Sequence, residues 1–278
     1  MNIFRNIFEI IVYLPKSIIL SLLRSKFLFF VEKSIYFLRN KSNIKDSPNE
    51  YYYQKLSKDG IVIIPNYFDK KKLNVIQHEA SKAINECSSN NYVDSQYYKS
   101  DEDGKLVVEI SKKSHREIYN LLEKDDFVKS IISAVLGKKV NAISHNIELK
   151  YGVNCLDEAI GVHSDDWRYR LKAFYVVDDI SSENAPMRYF AGTHQNKGWR
   201  RNHDYLSWAY EASPITPYRF RKIAKSYDFS EVTCTAKAGT LIIADTRGFH
   251  GGSMLKKGKR LQIVSIFNTY EKPRFRTA

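Results

Sequence analysis

The order of patterns along the chain predicts a mainly β protein, a barrel or jelly roll built from sheets with helices packed outside it. Three observations lead there. Helical periodicity is confined to the first part of the body, and strand-length apolar or alternating runs fill the rest. Nineteen Tyr and fifteen Phe stand against only twelve Gly, a composition that favours strands. With 278 residues, 43% of them hydrophobic, the chain can bury one substantial core and carry an appendage.

The appendage is N-terminal. Residues 7–38 are strongly apolar, but Pro15, Lys16, Arg24 and Lys26 interrupt them. No apolar run reaches the ~18–20 residues that span a bilayer. Pro15 and Lys16 also break the core that a signal peptide would need. Apolar residues recurring at three and four with basic residues between them suit amphipathic helices. Such helices either pack on the body or a second subunit, or lie in a membrane surface as a peripheral anchor. The polar stretch NKSNIKDSPNE (40–50) reads as a linker. The expected division is therefore a helical segment and linker over 1–48 and one domain over 49–278.

Within that domain, DGIVIIPNYF (59–68) predicts a short strand ending at Pro65. FDKKKLNVIQHEASKAINE (68–86) has helical spacing with Asp69 as N-cap. DDFVKSIISAVLG (125–137) is a second helix, opened by acidic residues and closed by Gly137. The texture then changes. VNAISHNIELKYG, WRYRLKAFYVVDDI, APMRYFAGTH, AGTLIIADTRGF and RLQIVSIFNTY all read as strands with turn residues between them. There is no internal repeat and no glycine-rich phosphate loop.

Charge and cysteines bound the partners. The net charge of +13 comes from scattered lysine runs, not one basic stripe. No nucleic-acid-binding motif accompanies it, so nucleic acid is not the expected partner. An anionic small molecule or an anionic membrane surface fits the charge better. Cys87, Cys155 and Cys234 are far apart and odd in number. They suggest neither a disulfide framework nor a zinc site, which makes a reducing, cytoplasmic setting the default.

The chemistry concentrates in two places. GVHSDDWRYR (161–170) contains His163-Ser164-Asp165. On a strand, side chains at i and i+2 share a face, so His163 and Asp165 can hold one ion. Alone, the pair reads as a strand-end histidine bonded to its neighbour. Asp166 is a rival ligand, but at i+3 it faces away. His250 lies 87 positions beyond His163, at the end of another strand and followed by Gly251 and Gly252. Two imidazoles and one carboxylate form the facial triad of non-haem iron(II), which leaves three positions open. Arg260 heads the next apolar run. If 251–259 form a hairpin loop, Arg260 sits on the strand beside His250 and offers a bidentate match to a carboxylate.

HSDDW, APMRYFAGTH and GTLIIADTRGFHGG, with Arg260 downstream, resemble the phytanoyl-CoA dioxygenase family of Fe(II)/2-oxoglutarate oxygenases over roughly residues 56–272. The resemblance implies a double-stranded β-helix (jelly roll, cupin-like) core. It implies Fe(2+) held by His163, Asp165 and His250, with 2-oxoglutarate and O2 as cosubstrates. Arg260 would bind the far carboxylate of 2-oxoglutarate, and Asn146 would contact the same molecule. Relatives commonly carry Ser or Thr two residues beyond the distal histidine. Here that position is Gly252, and Ser253 follows. Ala191 also replaces a frequent proline.

Other residues divide between site and structure. Trp167 walls the pocket or packs in the core. Thr193 and His194 contribute to the pocket wall or serve the fold, a fourth metal ligand being the less favoured role for His194. Arg247 pairs with Asp245 or Asp165, or reaches substrate. The insertion 196–232 carries Arg219 and Arg221 and reads as a solvated segment or a lid over an anionic substrate. The expected activity is hydroxylation of a small-molecule or carrier- or lipid-linked substrate, coupled to oxidative decarboxylation of 2-oxoglutarate. The alternatives are desaturation or cyclisation at the same site, or a catalytically silent barrel that binds a ligand or a membrane.

Overall fold

The structure, a computed structural model, describes residues 26–35, 49–88, 97–100, 102–155, 161–195, 213–215, 217–227 and 229–268. The expected linker over 40–48, the outer parts of the 7–38 segment and residues 196–212 of the insertion lie outside them. Six helices are described: α1 over 26–35, α2 (Glu50–Asp59), α3 (Lys70–Ser88), α4 (Arg116–Glu123), α5 (Asp126–Leu136) and α6 (Pro217–Tyr227). No helix among the described residues is long and apolar enough to cross a membrane.

Among the described residues twelve strands form two sheets. The large one has the order β1-β10-β6-β12-β4-β3-β2, and the small one β8-β5-β11-β7-β9. The large sheet comprises β1 (Ile61–Ile64), β2 (Tyr97–Ser100), β3 (Lys105–Glu109), β4 (Ser144–Lys150), β6 (Arg170–Val176), β10 (Leu241–Asp245) and β12 (Arg260–Asn268). The small sheet comprises β5 (His163–Ser164), β7 (Arg188–Phe190), β8 (Ser213–Pro214), β9 (Glu231–Thr233) and β11 (His250–Gly251). From β4 onward the chain passes back and forth between the sheets. β4, β6, β10 and β12 fall in one and the intervening strands in the other, with antiparallel pairing throughout. This winding is the double-stranded β-helix.

Side chains alternate across each strand, and here the two faces have different partners. In the large sheet Ile263 stands opposite Ile147 and Tyr175. These three join Val62, Val108 and Ile243 in one buried cluster with the apolar faces of the helices, including Ile76, Ile131 and Leu136. Each fully buried aliphatic side chain of this kind contributes about 1.5–3 kcal/mol of transfer free energy. The other face, with Phe174, Val176, Ile242 and Val264, looks toward the small sheet and meets Tyr189.

The helix-covered face also buries polar groups, and their bonds are made. Asp125 caps α5 by accepting from the Val128 amide at 3.1 Å. Its carboxylate also accepts from the Tyr67 hydroxyl at 2.5 Å and the Tyr175 hydroxyl at 3.2 Å. His145 bridges Ser265 Oγ at 2.6 Å and Glu123 Oε2 at 3.3 Å.

The expected strands all form within the predicted stretches. Both predicted helices form as well, with Asp69 Oδ1 accepting from the Lys72 amide at 2.8 Å and Gly137 in the left-handed region at φ 67°. The β2–β3 hairpin, α2 and α4 were not anticipated. Part of the N-terminal segment does pack on the body. Phe29 of α1 is fully buried and meets Trp167 edge-on, ring centroids 5.4 Å apart.

Candidate metal centre

The small sheet places two of the three candidate ligands by direct pairing. His163 of β5 and His250 of β11 are Cα partners across an antiparallel ladder. Their rings therefore meet, with centroids 4.4 Å apart. The chain turns sharply after β5, and the turn is pinned at both ends. Ser164 Oγ donates to the Arg247 carbonyl at 2.9 Å, and the Asp165 amide donates to the Thr246 carbonyl at 3.0 Å. Gly248 is required beside this turn, because a Cβ there would collide with the Tyr189 hydroxyl. That hydroxyl itself donates to the Asp245 carbonyl at 2.9 Å.

The result is a convergent donor set. Asp165 Oδ1 lies 3.7 Å from Nε2 of His163 and 3.7 Å from Nε2 of His250. One ligand atom from each of the three residues lies within 4.8 Å of the others, the one such group among the described residues. Each imidazole turns its Nδ1 toward a backbone carbonyl, Gly161 O for His163 and Gly248 O for His250, both at 2.8 Å. A carbonyl can only accept, so Nδ1 carries the proton and the Nε2 lone pair is left for an ion. Burial, followed by the His250 imidazole, lowers the His163 pKa to about 4, so this ring is neutral at physiological pH.

The carboxylate is steered as well. Lys172 of β6 places Nζ 2.8 Å from Asp165 Oδ2, and Arg170 Nε stands 4.0 Å from the same oxygen. Burial opposes ionisation of Asp165. The Lys172 charge, the His250 hydrogen bond and charge, and Arg170 outweigh it and hold the carboxyl well below its usual range. An ionised oxygen is thus kept facing the two Nε2 atoms. The donor set fits iron(II).

A cavity of about 120 Å3 opens beside these side chains and is lined by His163, Lys172, His250, Ser253, Arg260 and Gln262, among others. Arg260 reaches it by a different route from the one expected. β11 and β12 belong to different sheets, and β12 pairs with β4 and β6. Arg260 therefore faces the histidines across the space between the sheets instead of from the neighbouring strand. The loop 252–259 crosses from sheet to sheet, so it is not a hairpin. Arg260 Nη1 donates to the Ala185 carbonyl.

The remaining candidates sort by register and burial. Asn146 shares the inward face of β4, opposite Val264, and donates to Ser144 Oγ at 3.4 Å, but does not line the cavity. Trp167 packs against α1 and does not wall the cavity. Thr193 is structural. Its hydroxyl donates to Phe190 O at 2.6 Å and accepts from the Phe249 amide at 2.7 Å. His194 meets the Ser57 carbonyl of α2 at 3.0 Å. Arg247 is buried in a fork with Asp245, Nε to Oδ1 at 2.9 Å, and lies 3.6 Å over the Tyr169 ring. Asp166 faces away from the triad, with Arg168 Nη2 at 3.2 Å. Arg221 is exposed on α6, away from the cavity, because that helix docks through Phe220 against Phe190 and Phe249. The Arg219 side chain lies outside the described part.

Lys105, Glu148, Lys150, Lys172 and Gln262 also line the cavity, and none was singled out from sequence. The signal was present: polar residues at alternate positions of otherwise apolar strands (RLKAFYV, IELK, RLQIV) mark an inward polar face.

Comparisons with known proteins identify the family. The phytanoyl-CoA dioxygenase (PhyH) family profile matches residues 56–256, most of the chain. The chain belongs to that family. It is accordingly an Fe(II)/2-oxoglutarate-dependent non-haem iron oxygenase. No curated relative matches by sequence. Among solved structures, EctD from S. alaskensis with 2-oxoglutarate and 5-hydroxyectoine is 15% identical, with TM-score 0.62 over 82% of this chain and 79% of that one. The epimerase SnoN with Fe3+, alpha ketoglutarate and nogalamycin RO is 14% identical, with TM-score 0.57 over 79% and 82%. HygX from Streptomyces hygroscopicus, with nickel, 2-oxoglutarate and hygromycin B, is 11% identical, with TM-score 0.56 over 82% and 88%. At such identities these neighbours establish the fold they share with this chain.

Proposed function

We propose that the protein hydroxylates a small molecule, coupled to oxidative decarboxylation of 2-oxoglutarate, with His163, Asp165 and His250 holding the iron. The observation that carries this is the meeting of three side chains from two distant parts of the chain, His163 with Asp165 and His250, with both Nε2 atoms and one carboxylate oxygen turned to a common point. Iron(II) bound there, with dioxygen and 2-oxoglutarate, supplies the oxidising power to insert one oxygen atom into a C–H bond while 2-oxoglutarate leaves as succinate and carbon dioxide.

The chain's own residues orient and seclude. The Gly161 and Gly248 carbonyls hold each imidazole in the tautomer that presents Nε2. Lys172 occupies Asp165 Oδ2 and leaves Oδ1 facing the histidines. Arg260, across the cavity, is placed to receive the far carboxylate of 2-oxoglutarate, and Ser253 offers a hydroxyl beside it. Asn146 supplies an amide on the same inner face. Phe174 and Met187 make part of the cavity wall apolar, which limits water around the reacting groups.

That SnoN, with this fold, is an epimerase favours a second reading, in which a different substrate pose leads to another oxidation at the same residues. The test is succinate release from 2-oxoglutarate by the iron(II)-loaded full chain across a metabolite panel, with oxygenated product read by mass. Stimulated succinate with a product sixteen mass units heavier supports hydroxylation. A product lighter by two hydrogens, or of unchanged mass, supports the second reading. No succinate with any substrate contradicts both.

A further inference from the structure

One row across the large sheet sets three cations side by side. Arg260 of β12 is the Cα partner of Lys150 of β4, and Lys150 is in turn the Cα partner of Lys105 of β3. Residues paired in register share a face, and all three line the cavity beside the metal ligands. Like charges set directly opposite each other on an antiparallel ladder destabilise it. This row has two such pairs in succession. Neighbouring strands lie about 4.7–4.9 Å apart, so the backbone of Lys105 stands about 10 Å from that of Arg260.

The Lys and Arg side chains around the cavity differ in what they already hold. Lys172 is engaged with Asp165 Oδ2 at 2.8 Å. Arg260 is placed for the far carboxylate of 2-oxoglutarate and donates to the Ala185 carbonyl. Lys150, only 3% exposed, donates to the Asp103 carbonyl at 3.0 Å, which ties β4 to the turn before β3. Lys105 is half-buried, and its ammonium makes neither a hydrogen bond nor an ion pair among the described residues. Glu148 is the one carboxylate among the described residues lining this cavity. It accepts from Gln262 Nε2 at 2.9 Å instead of pairing with Lys105. Lys105 thus brings a positive charge to open space that holds like charges already. A lysine ammonium is a compact point charge with three donors, suited to the oxygens of a carboxylate or a phosphate.

We propose that Lys105 is a specificity-determining residue of this site, and that the substrate carries an oxyanion, a carboxylate or a phosphate, held by the Lys105 ammonium while its reacting C–H bond lies at the metal ligands. The Lys105 seat is separate from the Arg260 seat, so substrate and 2-oxoglutarate bind together without competing. This names a substrate class for the function proposed above and rests on that reading.

The test uses Lys105→Met and Lys105→Arg in the full chain. Thermal melts of the metal-free, ligand-free proteins come first. Lys105→Met is expected to melt at or above the wild-type temperature, because it removes one like charge from the row. A lower melting temperature means that the lysine serves the fold and overturns the proposal. Next, protein saturated with iron(II) and 2-oxoglutarate under nitrogen is titrated at constant ionic strength with methyl phosphate, acetate and neutral acetamide. Binding is read from each methyl signal by saturation-transfer nuclear magnetic resonance. At least one anion should bind wild type and acetamide should not. Lys105→Met should weaken the anion by about tenfold or more, Lys105→Arg should retain it, and 2-oxoglutarate affinity should be the same in all three proteins. Preference for methyl phosphate assigns a phosphate-bearing substrate, and preference for acetate a carboxylate-bearing one. Acetamide that binds as well as the anions, no anion that binds, or anion affinity untouched by Lys105→Met would each overturn the proposal. So would an anion that 2-oxoglutarate displaces, with 2-oxoglutarate weakened in Lys105→Met, since the lysine would then belong to the cosubstrate. Iron counted on the same samples keeps the two readings apart. No iron in wild type sinks the oxygenase reading, and the Lys105 titrations repeated on metal-free protein still judge the oxyanion seat.

Discussion

The two faces of the large sheet are made from alternate residues of the same strands and put to opposite uses. On the helix-covered face, Ile147, Tyr175 and Ile263 are fully buried, and the polar groups among them are bonded, as in the Asp125 and His145 networks. On the face toward the small sheet, the same strands carry Glu148, Lys172, Arg260 and Gln262 around a cavity, with Arg170 4.0 Å from Asp165 Oδ2. One face is close to an optimum for stability. The other gathers charged and polar side chains around open space. A period of two lets a single strand do both, since neighbouring residues never share an environment.

Substitutions on the two faces should therefore fail in different ways. The largest effect is expected at the ligands. His163→Ala or Asp165→Ala should reduce succinate formation by at least about a hundredfold, with bound iron falling in parallel by elemental analysis. A triad variant that keeps full iron and activity would dissolve the distinction between the faces. Ile263→Ala, one residue along from an inward-facing position, should instead cost about 2–5 kcal/mol of stability, read by denaturant unfolding. The half-saturating 2-oxoglutarate concentration of its remaining folded enzyme should be unchanged.

Lys172→Met sharpens the comparison. It removes the cation that holds Asp165 Oδ2 but keeps the length of the side chain, so iron affinity should fall by about tenfold. Unaltered affinity would make the 2.8 Å pair irrelevant to the metal.

The smallest effect concerns pH on the helix-covered face. Burial lowers the pKa of His145, and of His115, below the ordinary imidazole value, against the pull of neighbouring glutamates. A depressed histidine is neutral in the fold but takes a proton in the unfolded chain. Its contribution is therefore complete above the unfolded value of ~6.5 and is lost as pH falls below it toward the folded value. Melting temperature of the metal-free protein should drop between about pH 7 and pH 5, and His145→Gln should flatten that drop. An unchanged slope would remove His145 as its cause.

Much of this was legible in the sequence. The long strands announce themselves by apolar runs bounded by turn residues, and α5 by an aspartate cap and a closing glycine. His163, Asp165, His250 and Arg260 were legible because their types and order carry the chemistry. Strand partnership was not. Whether Arg260 sits beside His250 or across from it depends on which sheet receives β12, and nothing within 251–259 encodes that. Lys172 was overlooked for a related reason. Its role appears only when the turn after β5 folds Asp165 back over β6, a contact seven residues apart that no strand periodicity predicts. Arg247 and Trp167 sit within three residues of candidate ligands yet serve the fold, because the turns that carry them point them at Asp245 and at α1.

Iron stoichiometry across five variants tests the central claim most directly. Full chain is loaded with iron(II) and 2-oxoglutarate under nitrogen, and bound metal is counted for wild type, His163→Ala, Asp165→Ala, His250→Ala, Arg260→Met and Asp166→Asn. One iron per chain is expected in wild type and Asp166→Asn, and little in each of the three ligand variants. Arg260→Met should retain iron while losing 2-oxoglutarate affinity. Iron retained by His250→Ala or Asp165→Ala, or lost from Asp166→Asn as completely as from Asp165→Ala, would contradict the account.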